Sequence, residues 1–111
     1  MKFITHNQKH DIDTNMTHLQ GYITATYRDL INVFGEPIDG RGCPGEKTDV
    51  EWNIQFEDGT VATIYNWKNG FNYCGEFGTP VHSIISWNIG GHSIKALELV
   101  SHAACFESEA A

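Results

Sequence analysis

The sequence predicts an α+β domain in which an antiparallel sheet of three to four strands carries two helices packed on one face. The first observation is a strict alternation of apolar and polar residues from Asp49 to Phe56, which is typical of a strand with one buried face. The second is Asp58-Gly59, a turn signal that joins this strand to a return strand ending at Trp67. The third is the helical spacing of apolar residues on either side of this hairpin, which favours a two-layer arrangement.

The first helix is predicted to begin after Thr26, whose hydroxyl can cap it. Gly35 suits the left-handed position after the last turn, and Pro37 prevents the helix from continuing. The apolar face of this helix is formed by Tyr27, Leu30, Val33 and Phe34. A short strand is predicted immediately before it, over residues 21–25.

The return strand of the hairpin is apolar on both faces, which predicts a central position in the sheet. Its register depends on the turn. A two-residue turn would pair Trp52 with Tyr65, whereas a bulged three-residue turn would place Ala62 and Ile64 on the face of Trp52. The sequence leaves both registers open.

A further strand is predicted from Val81 to Ile89, where Gly90-Gly91 ends it. Ser93 is then expected to cap the second helix. The apolar stripe of that helix is formed by Ile94, Leu97, Val100 and Ala104. We therefore expect a single domain over residues 21–106, between a polar N-terminal arm at 1–20 and a frayed tail at 107–111.

The composition argues against several classes of function. Fourteen Asp and Glu against seven Lys and Arg give a formal net charge of −7, whereas binding to a nucleic-acid backbone needs a basic surface. No apolar run is long enough to cross a bilayer, and the N-terminus resembles no signal peptide. The three cysteines are widely spaced without a CxxC pair, as in a reducing compartment. We expect a cytoplasmic protein without membrane contact; a homo-oligomer stays open.

Catalytic and metal-binding patterns are weak throughout the chain. His6 and His10 are four residues apart, but their segment lacks helical periodicity and no HExxH or CxxC pattern supports a metal site. Cys43 and Cys74 have no base at a spacing that would activate a thiol. We therefore predict no catalytic residue, no metal and no cofactor, and a small Cys or His enzyme is the least favoured function.

The loop after the return strand is the strongest candidate for binding. Residues 65–73 contain four aromatic residues and three asparagines, which supply stacking faces and directional hydrogen bonds. Carboxylates on the wet face of the first hairpin strand add negative charge. The predicted contacts with a partner protein are Asn66, Trp67, Lys68, Asn69, Phe71, Tyr73, Phe77, Asp49 and Glu51.

An alternative function is sequestration of a small nucleotide signal. Its base would stack on Trp67 or Tyr73, and its phosphates would lie near basic side chains and the start of the second helix. The additional contacts predicted for this ligand are Arg41, Lys47, Asn88, His92 and Ser93.

Four stretches of the chain carry a resemblance to known proteins: Thr26-Tyr27-Arg28-Asp29-Leu30 with Phe34-Gly35-Glu36-Pro37, then Val50-Glu51-Trp52, then Phe56-Glu57-Asp58-Gly59-Thr60-Val61-Ala62-Thr63-Ile64-Tyr65-Asn66-Trp67-Lys68, and Trp87-Asn88-Ile89-Gly90-Gly91. Together they resemble a family of small accessory proteins encoded by tailed bacteriophages. The resemblance covers about residues 22–100 and brings no established activity with it. It implies a protein made in an infected bacterium, where small phage proteins often inhibit host defence by binding, as anti-CRISPR proteins do. We therefore predict a non-enzymatic protein that inhibits a host defence factor through its acidic strand face and its aromatic, asparagine-rich loop.

Overall fold

The computed structural model describes residues 2–5, 12–41, 48–67, 70 and 74–111, apart from the side chain of Ala104. One antiparallel sheet of seven strands dominates this part of the chain. The strands are β1 (Phe3–Thr5), β2 (His18–Thr24), β3 (Ile38–Asp39), β4 (Val50–Phe56), β5 (Val61–Tyr65), β6 (Ser86–Gly91) and β7 (Glu107–Ala110). Two α-helices lie wholly within the described residues, α1 (Tyr27–Phe34) and α2 (Lys95–Ala104), and single 3-10 turns occur at Gly75–Phe77 and Val81–Ser83.

The sheet is larger than the sequence predicts, and the expectation of three to four strands is wrong. The strand order is β1-β4-β5-β6-β2-β7. Both β1 and β3 pair with the outer edge of β4, β3 at the start of that strand and β1 at its end. The strands that were missed are two to four residues long, as in β1, β3 and β7. So short a segment shows too little alternation to be recognised, and its pairing depends on partners far away in the sequence.

Two further expectations are corrected by the same pairing. The tail after Cys105, expected to fray, forms β7 against β2, and Ala111 N donates to Gln20 O at 3.0 Å. The strand expected from Val81 to Ile89 begins only at Ser86 and continues to Gly91, because a 3-10 turn occupies its first part.

The hairpin adopts the longer of the two turns. Trp52 pairs with Ile64 and Ile54 pairs with Ala62, so these four side chains share one face. Phe56 N donates to Thr60 O at 2.8 Å, which leaves three residues in the loop. The third of them is a glycine with φ +91, a conformation that L residues rarely adopt. The turn type therefore decides the register.

Helix α1 has the predicted boundaries because its ends are held by specific contacts. Thr26 and Asp29 form a capping box, each side chain accepting from the backbone N–H of the other residue. The indole Nε1 of Trp52 donates to Gly35 O at 2.7 Å beyond the end of the helix. The indole of Trp87 donates to Ala25 O at 3.0 Å before its start. Two tryptophans of the sheet thus fix both ends of α1 while their own N–H groups are satisfied.

Helix α2 packs on the same face of the sheet, against β2 and β6. A Cβ added at Gly21 would lie 2.7 Å from Leu97 Cδ2, and one added at Gly91 would collide with Ala96. Glycines are required at these positions because the helix approaches the strands so closely. Both helices and this face of the sheet enclose one hydrophobic core.

The face of the sheet that carries neither α1 nor α2, which we call the helix-free face, is divided into a covered half and an open half. Asn53, Thr63 and Val61 point to this face and are nevertheless at least nine-tenths buried. Ile12 is also buried, and it does not belong to the core that the helices and the sheet enclose. His92 Nε2 hydrogen-bonds to the carbonyl oxygen of Asn15 at 2.8 Å, which fixes the chain entering β2 at this end of the sheet. We infer that this chain segment covers one half. On the other half Tyr22, Ser86 and Glu109 are exposed, and Glu51, Tyr65 and Asn88 are half-buried.

Candidate binding surface

A single row of side chains crosses the open half of the helix-free face on five neighbouring strands. The pairings are Glu51 with Tyr65, Tyr65 with Asn88, Asn88 with Tyr22, and Tyr22 with Glu109. Directly opposed side chains of adjacent antiparallel strands have Cβ atoms about 4.5–5.5 Å apart. We call these five residues the tyrosine row: an asparagine between two tyrosines, with a glutamate at each end.

The centre of the tyrosine row is partly withdrawn from water. Burial raises the pKa of Tyr65, and a hydrogen bond with Asn88 acts in the opposite direction. Tyr65 also meets the ring of Trp67 edge to face, with centroids 6.3 Å apart at 85°. Trp67 is 48% exposed and Tyr22 is 36% exposed, so aromatic surface extends from the row towards solvent. The hydroxyl of Tyr65 is thus held in a fixed position while neighbouring rings remain accessible.

The β7 end of the row opens into an acidic notch of about 360 Å³. Its lining is Tyr22, Thr24, Ser86, Glu107, Ser108 and Glu109. Glu107 and Glu109 are both exposed and point to the helix-free face, because they pair with Thr24 and Tyr22. Among the described residues no Lys or Arg lines the notch. A cation entering it would meet two carboxylates and the ring of a tyrosine.

Two of the predicted contact residues, Asp49 and Asn66, form an internal anchor. Asp49 and Asn66 are each 1% exposed. Asn66 Oδ1 accepts from the backbone N–H of Asp49 at 2.8 Å and from that of Val50 at 3.4 Å. A Cβ added at Gly70 would collide with the carboxylate of Asp49 and lie 2.7 Å from Asn66 Nδ2. Asp49 and Asn66 therefore fasten the loop to the start of β4 and are not available to a partner surface.

The structure does bring other predicted residues together. Glu51, Trp67 and Asn88 belong to or adjoin the tyrosine row. Phe77 is 90% exposed and lies apart from it, on a 3-10 turn. The predicted contacts Lys68, Asn69, Phe71 and Tyr73 lie outside the described residues.

Sequence reasoning missed Tyr22, Glu107 and Glu109. Tyr22 lies in a strand that was predicted, and so does its partner Asn88 in β6, but the pairing of Tyr22 with β7 was not predicted. The two glutamates lie in the tail that was expected to fray, although Glu107-Ser108-Glu109-Ala110 alternates in the way that a strand does. That alternation was the available signal.

The residues of the nucleotide alternative are dispersed in the structure. Arg41 donates to both carboxylate oxygens of Asp39, at 3.0 and 2.8 Å, and these bonds hold the pKa of Asp39 below its usual value. His92 and Ser93 follow β6 at the end opposite Trp67, roughly 20 Å away for about six residues of strand. A nucleotide stacked on Trp67 therefore does not reach the start of α2. Lys47 lies outside the described residues.

The part of the chain that the structure describes contains neither a metal-binding cluster nor a membrane-spanning helix. No group of three or more His, Cys, Asp or Glu side chains there could hold a metal ion. No helix within the described ranges has the length and apolar character needed to span a membrane. Cys105 is an exposed free thiol, and Cys43 lies outside the described residues.

Comparison with protein-family models, with curated proteins and with solved structures gave no match.

Proposed function

We propose that this protein is a non-enzymatic binding protein that covers a basic surface of a partner protein with the tyrosine row and the acidic notch beside it. The observation that carries the proposal is the row itself. Five strands place Glu51, Tyr65, Asn88, Tyr22 and Glu109 side by side on the face of the sheet opposite α1 and α2. An arrangement that depends on four strand pairings is rigid before any partner arrives, so little conformational entropy is lost on binding.

The side chains of the row suit arginine and lysine in particular. A guanidinium or ammonium group is attracted to the face of a tyrosine ring, and nearby carboxylates accept its hydrogen bonds. Tyrosine and tryptophan contribute large, stiff contact areas and are enriched among residues that dominate binding energy. Tyr22 and Trp67 would supply the anchors, and Glu107 with Glu109 would supply the charged rim.

The overall charge supports the same kind of partner. At −7 the chain attracts a basic protein at long range and accelerates its association. Of the described basic residues, Arg41 is paired with Asp39 and Lys95 with Asp58. Asp39 pairs with Val50, whose side chain belongs to the core on the other face of the sheet, and Lys95 belongs to α2.

The identity of the partner class follows from the sequence resemblance alone. Similarity to accessory proteins of tailed bacteriophages would place the protein in the cytoplasm of an infected bacterium. The partner would then be a host factor, and covering its basic surface would inhibit it. A defence factor that binds nucleic acid through that surface fits this proposal best, because nucleic-acid binding requires a basic footprint.

The test is capture of partners from a bacterial lysate, followed by calorimetric titration of the captured protein with matched variants. Glu109→Lys reverses a charge in the notch. Glu98→Lys makes the same change in net charge on exposed α2, away from the face. Tyr22→Thr removes a ring but keeps a residue that favours strands. We expect Tyr22→Thr to weaken binding by roughly thirtyfold or more, as for a central contact. Glu109→Lys should weaken it by a similar factor, because the reversal sets a like charge against the basic partner. Glu98→Lys should weaken it by less than about threefold.

Equal weakening by Glu109→Lys and Glu98→Lys would show that net charge alone acts, and would refute the proposed surface. Native mass spectrometry of the captured complex tests the nucleotide alternative. A small molecule that stays bound when protein partners are removed would favour that alternative.

A further inference from the structure

Strand β7 is an outer strand of the sheet. Among the described strands its only neighbour is β2, and all four of its residues are exposed. An outer strand carries a row of backbone groups that can pair with another chain. The backbone groups of β7 that point outwards determine how an added strand can pair with it.

The register between β7 and β2 shows which backbone groups of β7 point outwards. Ala111 N donates to Gln20 O at 3.0 Å, so Ala111 turns its backbone groups towards β2. Because residues of an antiparallel strand alternate in this respect, Glu109 and Glu107 also face β2. A Cβ added at Gly21 would collide with the carbonyl oxygen of Glu109, which places that oxygen on the β2 side independently. Ser108 and Ala110 therefore direct their N–H and C=O groups away from the sheet.

We infer that β7 is the docking edge for an extended, basic segment of the partner protein, which adds to the sheet as a further strand. This inference rests on the proposed function and specifies how the partner is held. Backbone bonds to Ser108 and Ala110 provide the pairing, as in other cases of strand addition. Glu107 and Glu109 point to the helix-free face, so residues opposite them in an added strand lie on that face too.

The side chains of β7 select the chemistry of the added strand. Lysine or arginine opposite Glu109 continues the tyrosine row by one position and reaches the acidic notch. On the other face Ser108 and Ala110 are small, so the intervening residues of the partner are small as well. The segment that fits thus alternates basic and small residues.

A second copy of this chain is a poor occupant of the edge. Antiparallel pairing of two β7 strands would bring Glu107 and Glu109 of one copy next to the same residues of the other. Like charges on directly opposed residues destabilise a strand pair, and charged outer strands are a known means of preventing self-association. The two glutamates therefore exclude self-pairing while admitting a basic strand.

The experiment uses a synthetic peptide of about eight residues in which arginine and threonine alternate. A control peptide of identical composition groups the arginines in one block. Binding to the full chain is measured by calorimetry, and amide hydrogen exchange is followed by NMR. We expect the alternating peptide to bind at least tenfold more tightly than the block peptide and to slow exchange at the amides of Ser108 and Ala110.

Ser108→Pro removes one outward N–H and places a ring at the edge, whereas the pairing with β2 does not use that N–H. Proline is tolerated on an outer strand in this orientation. Ser108→Ala removes the same hydroxyl but retains the N–H. We expect Ser108→Pro to weaken peptide binding at least tenfold and Ser108→Ala to leave it unchanged.

Four outcomes overturn the inference: no peptide binding, equal binding of the two peptides, unprotected amides at Ser108 and Ala110, or equal binding by the two Ser108 variants. None of them refutes the tyrosine row, because a folded partner docked on the face needs no added strand. Loss of partner binding in Glu109→Lys with normal binding in Ser108→Pro would keep the proposed function and reject the edge.

Discussion

Replacement of Asn66 by alanine should destabilise the domain strongly, although the residue does not belong to the tyrosine row. Its side-chain oxygen accepts from the backbone N–H of Asp49 at 2.8 Å and of Val50 at 3.4 Å, in a site where Asn66 is 1% exposed. Asp49 and Val50 are equally buried, so water does not replace the lost acceptor.

The magnitude follows from the groups left without a partner. A buried backbone N–H that loses its acceptor costs about 1–3 kcal/mol. The 2.8 Å bond should account for most of this, and the 3.4 Å contact adds less because it is long for a hydrogen bond. Loss of packing around the amide adds roughly 1 kcal/mol. We therefore expect the free energy of unfolding to fall by about 3 kcal/mol.

The assay is equilibrium unfolding in urea, monitored by tryptophan fluorescence. With a denaturant dependence of about 1.5 kcal/mol per molar urea, the midpoint should fall by about 2 M. Asn32→Ala is the matched control, because it makes the same change at an exposed position on α1 and should alter stability by less than about 0.5 kcal/mol. A loss below about 1 kcal/mol for Asn66→Ala would show that the two backbone groups are satisfied in another way, and would refute the anchor.

The other predictions concern the two helices and β7. Gly21→Ala should lower the free energy of unfolding by about 1–3 kcal/mol, since the new methyl group would collide with the backbone of β7; exchange at the β7 amides should rise with it, and unchanged exchange would contradict the close approach. Asp58→Asn should destabilise the protein in a pH-dependent way, because Lys95 lowers the pKa of Asp58 from 3.8 to about 2. A carboxyl group whose pKa is lowered by folding stabilises the fold at pH values above its unfolded pKa. The difference in urea midpoint between variant and wild type should therefore be full above pH 3.8 and shrink as the pH falls towards about 2. A pH-independent difference would contradict this ion pair. Thr26→Ala should cost about 1 kcal/mol and Thr26→Ser much less, as measured in urea, because serine retains the capping oxygen of α1.

Local signals in the sequence were sufficient for the elements whose ends depend on neighbouring residues. The start of α1 at Tyr27 is set by a capping threonine one residue earlier, and its end by Gly35 with φ +83. The position of the hairpin turn is likewise predicted by Asp58-Gly59. Its register was not, because a two-residue and a three-residue loop are compatible with the same pair of turn residues.

Only part of the candidate site was predicted, and the reason is related. Glu51, Trp67 and Asn88 were identified from residue type and from strand or loop position, and they do adjoin one another on the sheet. Asp49 was assigned to the wet face by alternation, yet it is buried beside Gly70. Alternation states which side of a strand a residue occupies, and it does not state whether a loop covers that side.

The hairpin, α1, the position of α2 and the acidic character of the chain were determined by the sequence itself, since each depends on residues within a few positions of one another. The seven-stranded order, the burial of Asp49 and Asn66, and the tyrosine row were decided by the tertiary structure. Tyr22, Tyr65, Asn88 and Glu109 lie far apart in the chain, and only strand pairing over such separations makes them neighbours. Short strands such as β7 form because a partner is already in place, and that information is not contained in their own four residues.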